Sequence, residues 1–490
     1  MTYPSPASGP ASRSGVRRVG DAYQDLVAWS AVLLALRPDS DVLQIEMEVN
    51  DAGNVDDVIV RHRTAPHRYT QVKYAASAAT PVNTSYLTSR RRGSTSLLEK
   101  FYSSWKLLRE RPGGAILELV TNRELDATDP LLKLCDGRTD MLMPAADRIT
   151  DRSEAGKTLI AWAQHLGVDR GTVQSMLEQL VFRTGRKVSA EEERATALML
   201  AAGLRADKKS LLLGTSTIAE WVRQGRRVLT RDDIQGEVEA LALRTSEPRA
   251  ILLIQAIRRD PHPDDATIAV DWVDLYEGDE PAARRRPKES DAWTRMDAEL
   301  RSAVQTLEDG GHRDILVSGK MRLGTAFTVG ARLAQVTGTS ISYDHYGTVW
   351  SSDSPRIPVP ALRLTRTPLG QGDDLAVAFG ITRDPTNAVV SYLRKNQIPV
   401  RELLTLVPAD GDHDQSVAGP GQAVTLAQEL RNQVRTELER QPADRIHLFQ
   451  ACPCALALLT GHRWNRVART LVYEDLGAGH GYLPAFTVSA

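Results

Sequence analysis

The chain has 490 residues, of which 42% are hydrophobic and 25% charged, a composition typical of a globular protein with roughly two to four domains. Its 61 lysines and arginines almost balance its 62 aspartates and glutamates, so no overall basic field marks it as a nucleic-acid-binding protein. Three cysteines exclude a disulfide framework. Because we find neither an apolar leader nor a run long enough to span a bilayer, we expect a cytoplasmic protein with no membrane partner.

The N-terminal region divides into a tail, a helix and a strand. Residues 1–19 are rich in Pro, Ser, Gly and Arg, which predicts a disordered tail. GDAYQDLVAWSAVLLAL, residues 20–36, predicts a helix that carries Tyr23 and Gln24. VLQIEMEV, residues 42–49, alternates apolar and polar residues, so it predicts a strand with Glu46 and Glu48 on its polar face.

Two short segments, VDDVIV at 55–60 and QVKY at 71–74, predict neighbouring strands with chemically useful ends. The first supplies Asp56 or Asp57, and a period of two places Gln71 and Lys73 on one face of the second. Carboxylate and amide oxygens suit Mg²⁺, with Mn²⁺ as a second choice, and an ammonium group stabilises charge that develops on a phosphate. The segments therefore predict a metal-dependent phosphodiesterase site.

The order of these residues resembles the PD-(D/E)xK nuclease superfamily, in the variant of Mrr-like restriction enzymes where glutamine replaces the acidic residue. AILELVTN at 115–122 completes the order helix, three strands, helix, strand. The helix at 20–36 is similar to the double-stranded DNA endonuclease domain found fused to SAVED sensor domains. The resemblance implies a restriction-endonuclease-like αβββαβ core over residues 20–150. It leaves open which of Asp56 and Asp57, and which of Glu46 and Glu48, takes part. The implied catalytic residues are Gln24, Glu46, Glu48, Asp56, Asp57, Gln71 and Lys73, with Asp56, Asp57 and Gln71 as the metal ligands.

A basic segment follows, which includes Arg90, Arg91 and Arg92 in a polar loop and Lys100 on the predicted helix after it. Such a segment would suit contacts with DNA phosphates that position a duplex without reading its sequence. A solvated loop and helix face is the alternative. Residues 151–245 then show apolar positions at a spacing of three to four, which predicts a helical connector between domains.

From residue 246 to 490 a strand, loop and helix recur three times, in RDILVSGKMRLGTAFTVGARL, DLAVAFGITRDPTNAVVSYLRKN and RIHLFQACPCALALLTGHRW. This repetition predicts Rossmann-like parallel sheets, whose ligands collect beyond the carboxyl ends of the strands. No loop matches a P-loop or a dinucleotide fingerprint, so ATP and NAD are disfavoured. Cys452 and Cys454 are expected in the core. Trp350 is either a stacking platform for a base or a core residue. The predicted ligand-binding residues are Gly319, Lys320, Arg322, Trp350, Thr382, Arg383, Gln450 and Pro453.

The stretches SGKMRLGTAFTVGARL, HLFQACPCALALLTGHRW and LVYEDLGAGHGYLPAF resemble the SAVED domain, a fusion of two Rossmann-like, CARF-like units. That resemblance implies a bacterial effector of the CBASS anti-phage type. Its SAVED domain would bind a cyclic di- or trinucleotide, and its nuclease would then degrade double-stranded DNA as a homo-oligomer. Two alternatives remain: an Mrr-like restriction or repair nuclease without such control, and a non-catalytic sensor or scaffold.

Overall fold

The computed structural model divides the chain into two units, Met1–Pro248 and Arg249–Ala490. It describes residues 13–49, 53–64, 66–90, 93–142, 149–345, 348–370, 372–409, 417–477 and 479–489. Arg91 and Arg92 lie outside the described residues.

The N-terminal unit combines helices with short strands, and these elements follow one another closely along the chain. Its helices are α1 (Arg13–Ala35), α2 (Thr84–Thr88), α3 (Leu97–Leu108), α4 (Glu154–Leu166), α5 (Arg170–Leu177), α6 (Val188–Ala201), α7 (Lys208–Arg223) and α8 (Arg231–Ala240). Its strands are β1 (Val42–Met47), β2 (Val58–His62), β3 (His67–Lys73), β4 (Ala115–Thr121), β5 (Leu180–Arg183) and β6 (Val228–Thr230). Up to β4 the order is helix, three strands, two helices and a strand, which has one short helix, α2, more than the expected order.

These strands form one six-stranded sheet with the order β5-β4-β3-β2-β1-β6. β1, β2 and β3 pair antiparallel, whereas β4 runs parallel to β3 and to β5. Ile59 and Tyr69, which are cross-strand partners, lie in a buried cluster with Phe101 of α3 and Leu117 of β4. α1 contacts β1, β2 and β3 as well as α6 and α7. The sheet therefore packs against helices that include α3 on the Tyr69 face.

Two predictions for this unit need correction. The segment 151–245 is not wholly helical, because β5 and β6 form the two edges of the sheet that also contains the candidate catalytic strands. The disordered tail was predicted to include residues 1–19, which is too long, because α1 begins at Arg13.

The C-terminal unit repeats strand, loop and helix, as predicted. Its helices are α9 (Ala292–Asp309), α10 (Leu323–Arg332), α11 (Thr386–Lys395), α12 (Pro420–Arg440) and α13 (Cys454–His462). Its strands are β7 (Ala250–Gln255), β8 (Ile268–Asp271), β9 (Asp314–Ser318), β10 (Ser340–His345), β11 (Thr348–Ser351), β12 (Leu362–Pro368), β13 (Asp374–Gly380), β14 (Val400–Pro408), β15 (Arg445–Ala451), β16 (Arg469–Asp475) and β17 (Tyr482–Val488).

The C-terminal unit contains two sheets whose strands are mostly parallel. The first has the order β11-β10-β9-β7-β8, and the second β12-β14-β13-β15-β16-β17. Strands β8, β7, β9 and β10 pair in parallel, as do β14, β13, β15 and β16, and antiparallel strands occur only at the edges. The prediction of parallel α/β sheets is confirmed. The loops after β9, β13 and β15 therefore leave the carboxyl ends of parallel strands, where such folds bind ligands.

The backbones of helices α10 and α13 are in direct contact, and each helix has a glycine at the contact. A methyl group at Gly330 would overlap the carbonyl oxygen of Leu458, and one at Gly461 would overlap that of Phe327. The close approach of the two helices is therefore possible because Gly330 and Gly461 have no side chain.

We expect Gly330→Ala to destabilise the C-terminal unit by about 1–3 kcal/mol or more, because the two helices must move apart. Gly236 in α8 is a suitable control, since a methyl group there meets nothing within 4 Å. Gly236→Ala should stabilise by about 0.5–1 kcal/mol. Denaturant unfolding followed by circular dichroism measures both changes, and equal midpoints for Gly330→Ala and the native protein would contradict the argument.

Candidate functional site

The ends of three strands meet at one edge of the N-terminal sheet. Met47, the last residue of β1, is opposite Val58, the first residue of β2, and Val58 is opposite Thr70 of β3. Asp57 immediately precedes β2, and Lys73 is the last residue of β3. The antiparallel pairing thus gathers the candidate carboxylates, amide and ammonium at the same edge.

Asp57 links the two strands. Its Oδ2 accepts a hydrogen bond from the backbone N–H of Val72 at 2.6 Å and another from the side-chain amide of Gln71. The same oxygen lies 3.8 Å from Nζ of Lys73, whose side chain is 39% exposed. Asp57, Gln71 and Lys73 therefore form one connected group that solvent reaches from the Lys73 side.

Asp56 lies beside this group. Burial raises the pKa of Asp56, the negative charges of Asp57 and Glu48 raise it further, and Lys73 opposes them. Burial also lowers the pKa of Lys73, with Asp57 opposing this shift and the positive charge of Lys100 adding to it. The edge therefore holds carboxylates that repel one another, an arrangement that a bound cation would relieve.

Gln24 and Glu48 approach from α1 and from the end of β1. Gln24 Nε2 donates to Glu48 Oε1 at 3.1 Å. Glu48 has a positive φ of 50°, which takes it out of the strand alternation. Arg227 supports this turn, since its Nη1 donates to the carbonyl oxygen of Glu48 at 2.9 Å.

Glu46 is not part of the group, which corrects one of the predictions. Its carboxylate accepts from Arg61 Nε at 2.7 Å and Nη2 at 3.0 Å, and from Gln44 at 2.6 Å. Glu46 is buried and is the cross-strand partner of Ile59. Its charge is thus neutralised within the sheet, and Glu48 is the carboxylate near the candidate site.

Asp25 is a residue that the sequence did not single out. Burial raises the pKa of Asp25 to about 7, with further contributions from Asp21 and Glu48. Since the folded-state pKa exceeds the unfolded one, this carboxyl group contributes least to stability above pH 7, where burial disfavours its charge.

We therefore expect Asp25→Asn to stabilise the N-terminal unit at pH 8 by about 1–4 kcal/mol. The advantage should shrink as the pH falls through 7 and become small near pH 4, close to the ordinary aspartate pKa of 3.8. Urea unfolding at pH 8, 6 and 4 measures the trend. A difference that does not vary with pH would show that Asp25 ionises normally.

The donor set suits a hard cation. Within the described residues, no three His, Cys, Asp or Glu side chains are placed to hold a metal ion together. The available ligands are the carboxylates of Asp56 and Asp57 and the amide oxygen of Gln71. Such a set fits Mg²⁺, which keeps several water molecules and binds proteins through few carboxylates.

Arg90 is already paired. Its Nη2 lies 2.5 Å from Oε1 of Glu99, and Glu99 also accepts the N–H of Ser96 in a capping box at the start of α3. Arg90 and the N–H of Ser96 lower the pKa of Glu99 to about 2. Arg90 therefore carries little free charge for DNA.

In the C-terminal unit, the loop after β9 is tightly built. Gly319 has a φ of 101°, and a methyl group there would overlap the carbonyl oxygen of Ile254. Lys320 is exposed. Arg322 donates through Nη2 to the carbonyl oxygen of Arg284 at 2.7 Å and through Nη1 to that of Asp475 at 3.4 Å. Of the two cations, Lys320 is the more accessible.

The start of α10 is not an open anion site, contrary to the prediction. Glu474, which is fully buried, accepts from the backbone N–H of Gly324 at 3.1 Å and from that of Thr325 at 2.7 Å. The Thr325 hydroxyl donates to the same carboxylate at 2.7 Å. An internal carboxylate thus occupies the place where the sequence suggested a phosphate.

The remaining predicted residues differ in accessibility. Trp350 is 3% exposed in the core, with its ring centroid 4.4 Å from that of His345, so it cannot stack a base in this structure and the prediction needs correction. Gln450 is 3% exposed, and its Oε1 has no hydrogen-bond partner in the described part of the chain. Pro453 is the residue before α13. Thr382 donates its N–H to the carbonyl oxygen of Ala451 at 3.0 Å.

Three arginines from three loops converge on the turn after β16. Arg383 pairs with the carboxylate of Asp475 and is 60% exposed. Arg285 donates to the carbonyl oxygen of Leu476 at 2.6 Å, and Arg322 contacts that of Asp475. The sequence indicated Arg322 and Arg383, but it gave no sign of Arg285.

Comparisons with known proteins find similarity to a sensor-domain family in the C-terminal unit and to one relative along nearly the whole chain. A model of the SAVED family, the SMODS-associated and fused to various effectors sensor domain, matches residues 298–488. CD-NTase-associated protein 4 of Enterobacter hormaechei subsp. hoffmannii (strain UCI 50) is 23% identical over 509 residues, which cover 96% of this chain and 98% of that protein.

Solved structures are similar over the same length. The Acinetobacter baumannii Cap4 SAVED/CARF-domain containing receptor with the cyclic trinucleotide 2'3'3'-cAAA is 16% identical, with a TM-score of 0.47 and coverage of 98% of this chain and 100% of that chain. The Moraxella osloensis Cap4 SAVED/CARF-domain containing receptor is 16% identical, with a TM-score of 0.45 and coverage of 96% and 100%.

Residues 298–488 thus match a SAVED sensor domain, and the chain is similar to CD-NTase-associated protein 4 over nearly its whole length. In the described residues, no helix has the length and apolar character needed to cross a membrane.

Proposed function

We propose that the protein is an effector of CBASS anti-phage defence, a metal-dependent endonuclease that degrades double-stranded DNA when its C-terminal unit binds a cyclic oligonucleotide. The SAVED match over residues 298–488 supports the sensor. The observation that carries the nuclease is the group formed by Asp57, Gln71 and Lys73 at one edge of the sheet.

In the proposed reaction, the residues at this edge of the sheet divide into metal ligands and a phosphate contact. Asp56, Asp57 and the amide oxygen of Gln71 would hold Mg²⁺ or Mn²⁺, which when bound supplies an activated water and polarises the phosphate. Lys73 would contact the phosphate that is cut and stabilise the negative charge that develops on its oxygens. Asp57 also positions Gln71, and Gln24 holds Glu48 beside Asp56.

The proposed activator is a cyclic di- or trinucleotide, and we take a cyclic trinucleotide as the first to test. Its phosphates are anions, and exposed cations at the carboxyl ends of the parallel strands include Lys320 and Arg383. The unpartnered Oε1 of the buried Gln450 could accept a hydrogen bond from a base.

Activation requires a difference in ligand affinity between a resting and an active state, because a ligand that binds both equally shifts neither. We propose that the active state is a homo-oligomer, in which several nuclease sites meet one duplex. Light scattering at saturating cyclic trinucleotide should show an increased mass, whereas an unchanged mass would refute this step.

One experiment separates this proposal from its alternatives. Supercoiled plasmid is incubated with the protein and Mg²⁺, alone and with each member of a panel of cyclic di- and trinucleotides. Cleavage only with one ligand supports the effector. Cleavage with Mg²⁺ alone indicates an Mrr-like restriction or repair nuclease, and ligand binding without cleavage in Mg²⁺ or Mn²⁺ indicates a non-catalytic sensor.

A further inference from the structure

Lys100 lies on α3, on the helix face that is tied to the loop carrying the candidate carboxylates. Ser104 Oγ accepts the backbone N–H of Asn54 at 2.9 Å, and Ser103 Oγ accepts from Asn54 Nδ2 at 3.2 Å. Residues three and four positions apart are neighbours on a helix surface, so both serines flank Lys100. Because Asn54 precedes Asp57 by three positions, α3 holds Lys100 close to the start of β2.

Helix α3 packs on the same face of the sheet that carries Gln71 and Lys73. Tyr69 packs in the cluster that contains Phe101 of α3, and strand alternation places Gln71 and Lys73 on the same face as Tyr69. Lys73 and Lys100 therefore approach the candidate site from the sheet and from the helix above it.

The charge of Lys100 has no partner within the described residues. No carboxylate there lies within ion-pair distance of its ammonium group, although its side chain is half-buried. The neighbouring Glu99 is already taken by Arg90 and by the N–H of Ser96. Two half-buried ammonium groups on one side of a site, with Asp57 paired to only one of them, attract an anion.

We propose that Lys100 is a substrate-binding residue that holds a backbone phosphate of the DNA strand next to the phosphate contacted by Lys73. The inference rests on the proposed nuclease function and extends it. Lys73 and Lys100 would bind successive phosphates from two sides. These contacts would position the DNA strand without reading its sequence.

The test measures duplex binding and cleavage for Lys100→Ala, Lys100→Arg and Lys157→Ala. Lys157 is an exposed lysine on α4 that pairs with Glu154, so its loss removes the same charge from a different helix. Loss of one phosphate contact should raise the KM for DNA about tenfold with little change in kcat. It should also reduce the slope of log binding constant against log salt by about 0.9. Lys100→Arg should retain most of the affinity, and Lys157→Ala should match the native protein.

A merely structural role for Lys100 would alter the melting temperature but not the salt slope. If Lys100→Ala keeps the native KM and salt slope while the native protein cuts DNA, the inference is wrong and the nuclease proposal stands. If the native protein with ligand neither binds nor cuts duplex DNA, the Lys100 inference and the nuclease proposal are both wrong.

Discussion

Replacing Lys73 by alanine is expected to lower ligand-activated DNA cleavage by about 10²- to 10³-fold or more, with no change in ligand binding. The ammonium group of Lys73 lies 3.8 Å from Oδ2 of Asp57, one of the side chains that would hold the metal. A charge that acts only as the phosphate develops negative charge contributes to kcat, not to substrate affinity alone.

The variant should fold normally. Among the described residues, the Lys73 ammonium donates to the carbonyl oxygen of Val72 at 3.1 Å and contacts Asp57, and its side chain is partly exposed. Lys157→Ala again serves as the control for loss of a lysine. The measurement is plasmid cleavage at saturating cyclic trinucleotide, together with calorimetric titration of that ligand. Cleavage by Lys73→Ala at the native rate would remove the active-site assignment.

The sheet edge could be predicted because its signals are local. Alternation of apolar and polar residues identified β1, and the period of two placed Gln71 and Lys73 on one face of a neighbouring strand. The choice between Asp56 and Asp57 could not be made in this way, since both precede the same strand. The structure separates them: Asp57 accepts the Val72 N–H, while Asp56 lies beside it with a raised pKa.

Glu46 and Glu48 show where alternation fails. An uninterrupted strand would place both on one face, but Glu48 follows the end of β1 with a positive φ. A positive φ is uncommon for a residue with a side chain, and no pattern in VLQIEMEV predicts it. The short strands β5 and β6 were missed for a related reason. Each is held by pairing with a strand that is distant along the chain.

The start of α10 shows the limit of motif reasoning for ligand sites. A glycine, a lysine and an arginine before a helix suggested a phosphate site, and the helix N-terminus does bind an anion. That anion is Glu474, which is 150 residues further along the chain than Gly324. Only the three-dimensional structure shows that the site is filled and that Arg383 and Lys320 remain accessible.

Arg383 and Asp475 should affect ligand binding in opposite directions. We expect Arg383→Ala to weaken the binding of the activating cyclic oligonucleotide about 10- to 100-fold, because a charged hydrogen bond to phosphate contributes about 1.5–3 kcal/mol. Asp475→Asn should instead tighten binding several-fold, since a phosphate must compete with the Asp475 carboxylate for the same guanidinium. Titration calorimetry with the cyclic trinucleotide measures both.

The asparagine variant is a sharp test because it keeps the local backbone contact. Asp475 Oδ1 accepts the N–H of Gly477 at 2.8 Å, and the amide oxygen of asparagine can accept the same bond. Arg394→Ala, in the last turn of α11 and away from the loop after β13, should bind like the native protein. The ligand concentration needed for half-maximal DNA cleavage should shift with the binding constant in each variant. If Arg383→Ala and Asp475→Asn move affinity in the same direction, the two side chains do not compete for the ligand phosphate, and the site lies elsewhere among the loops.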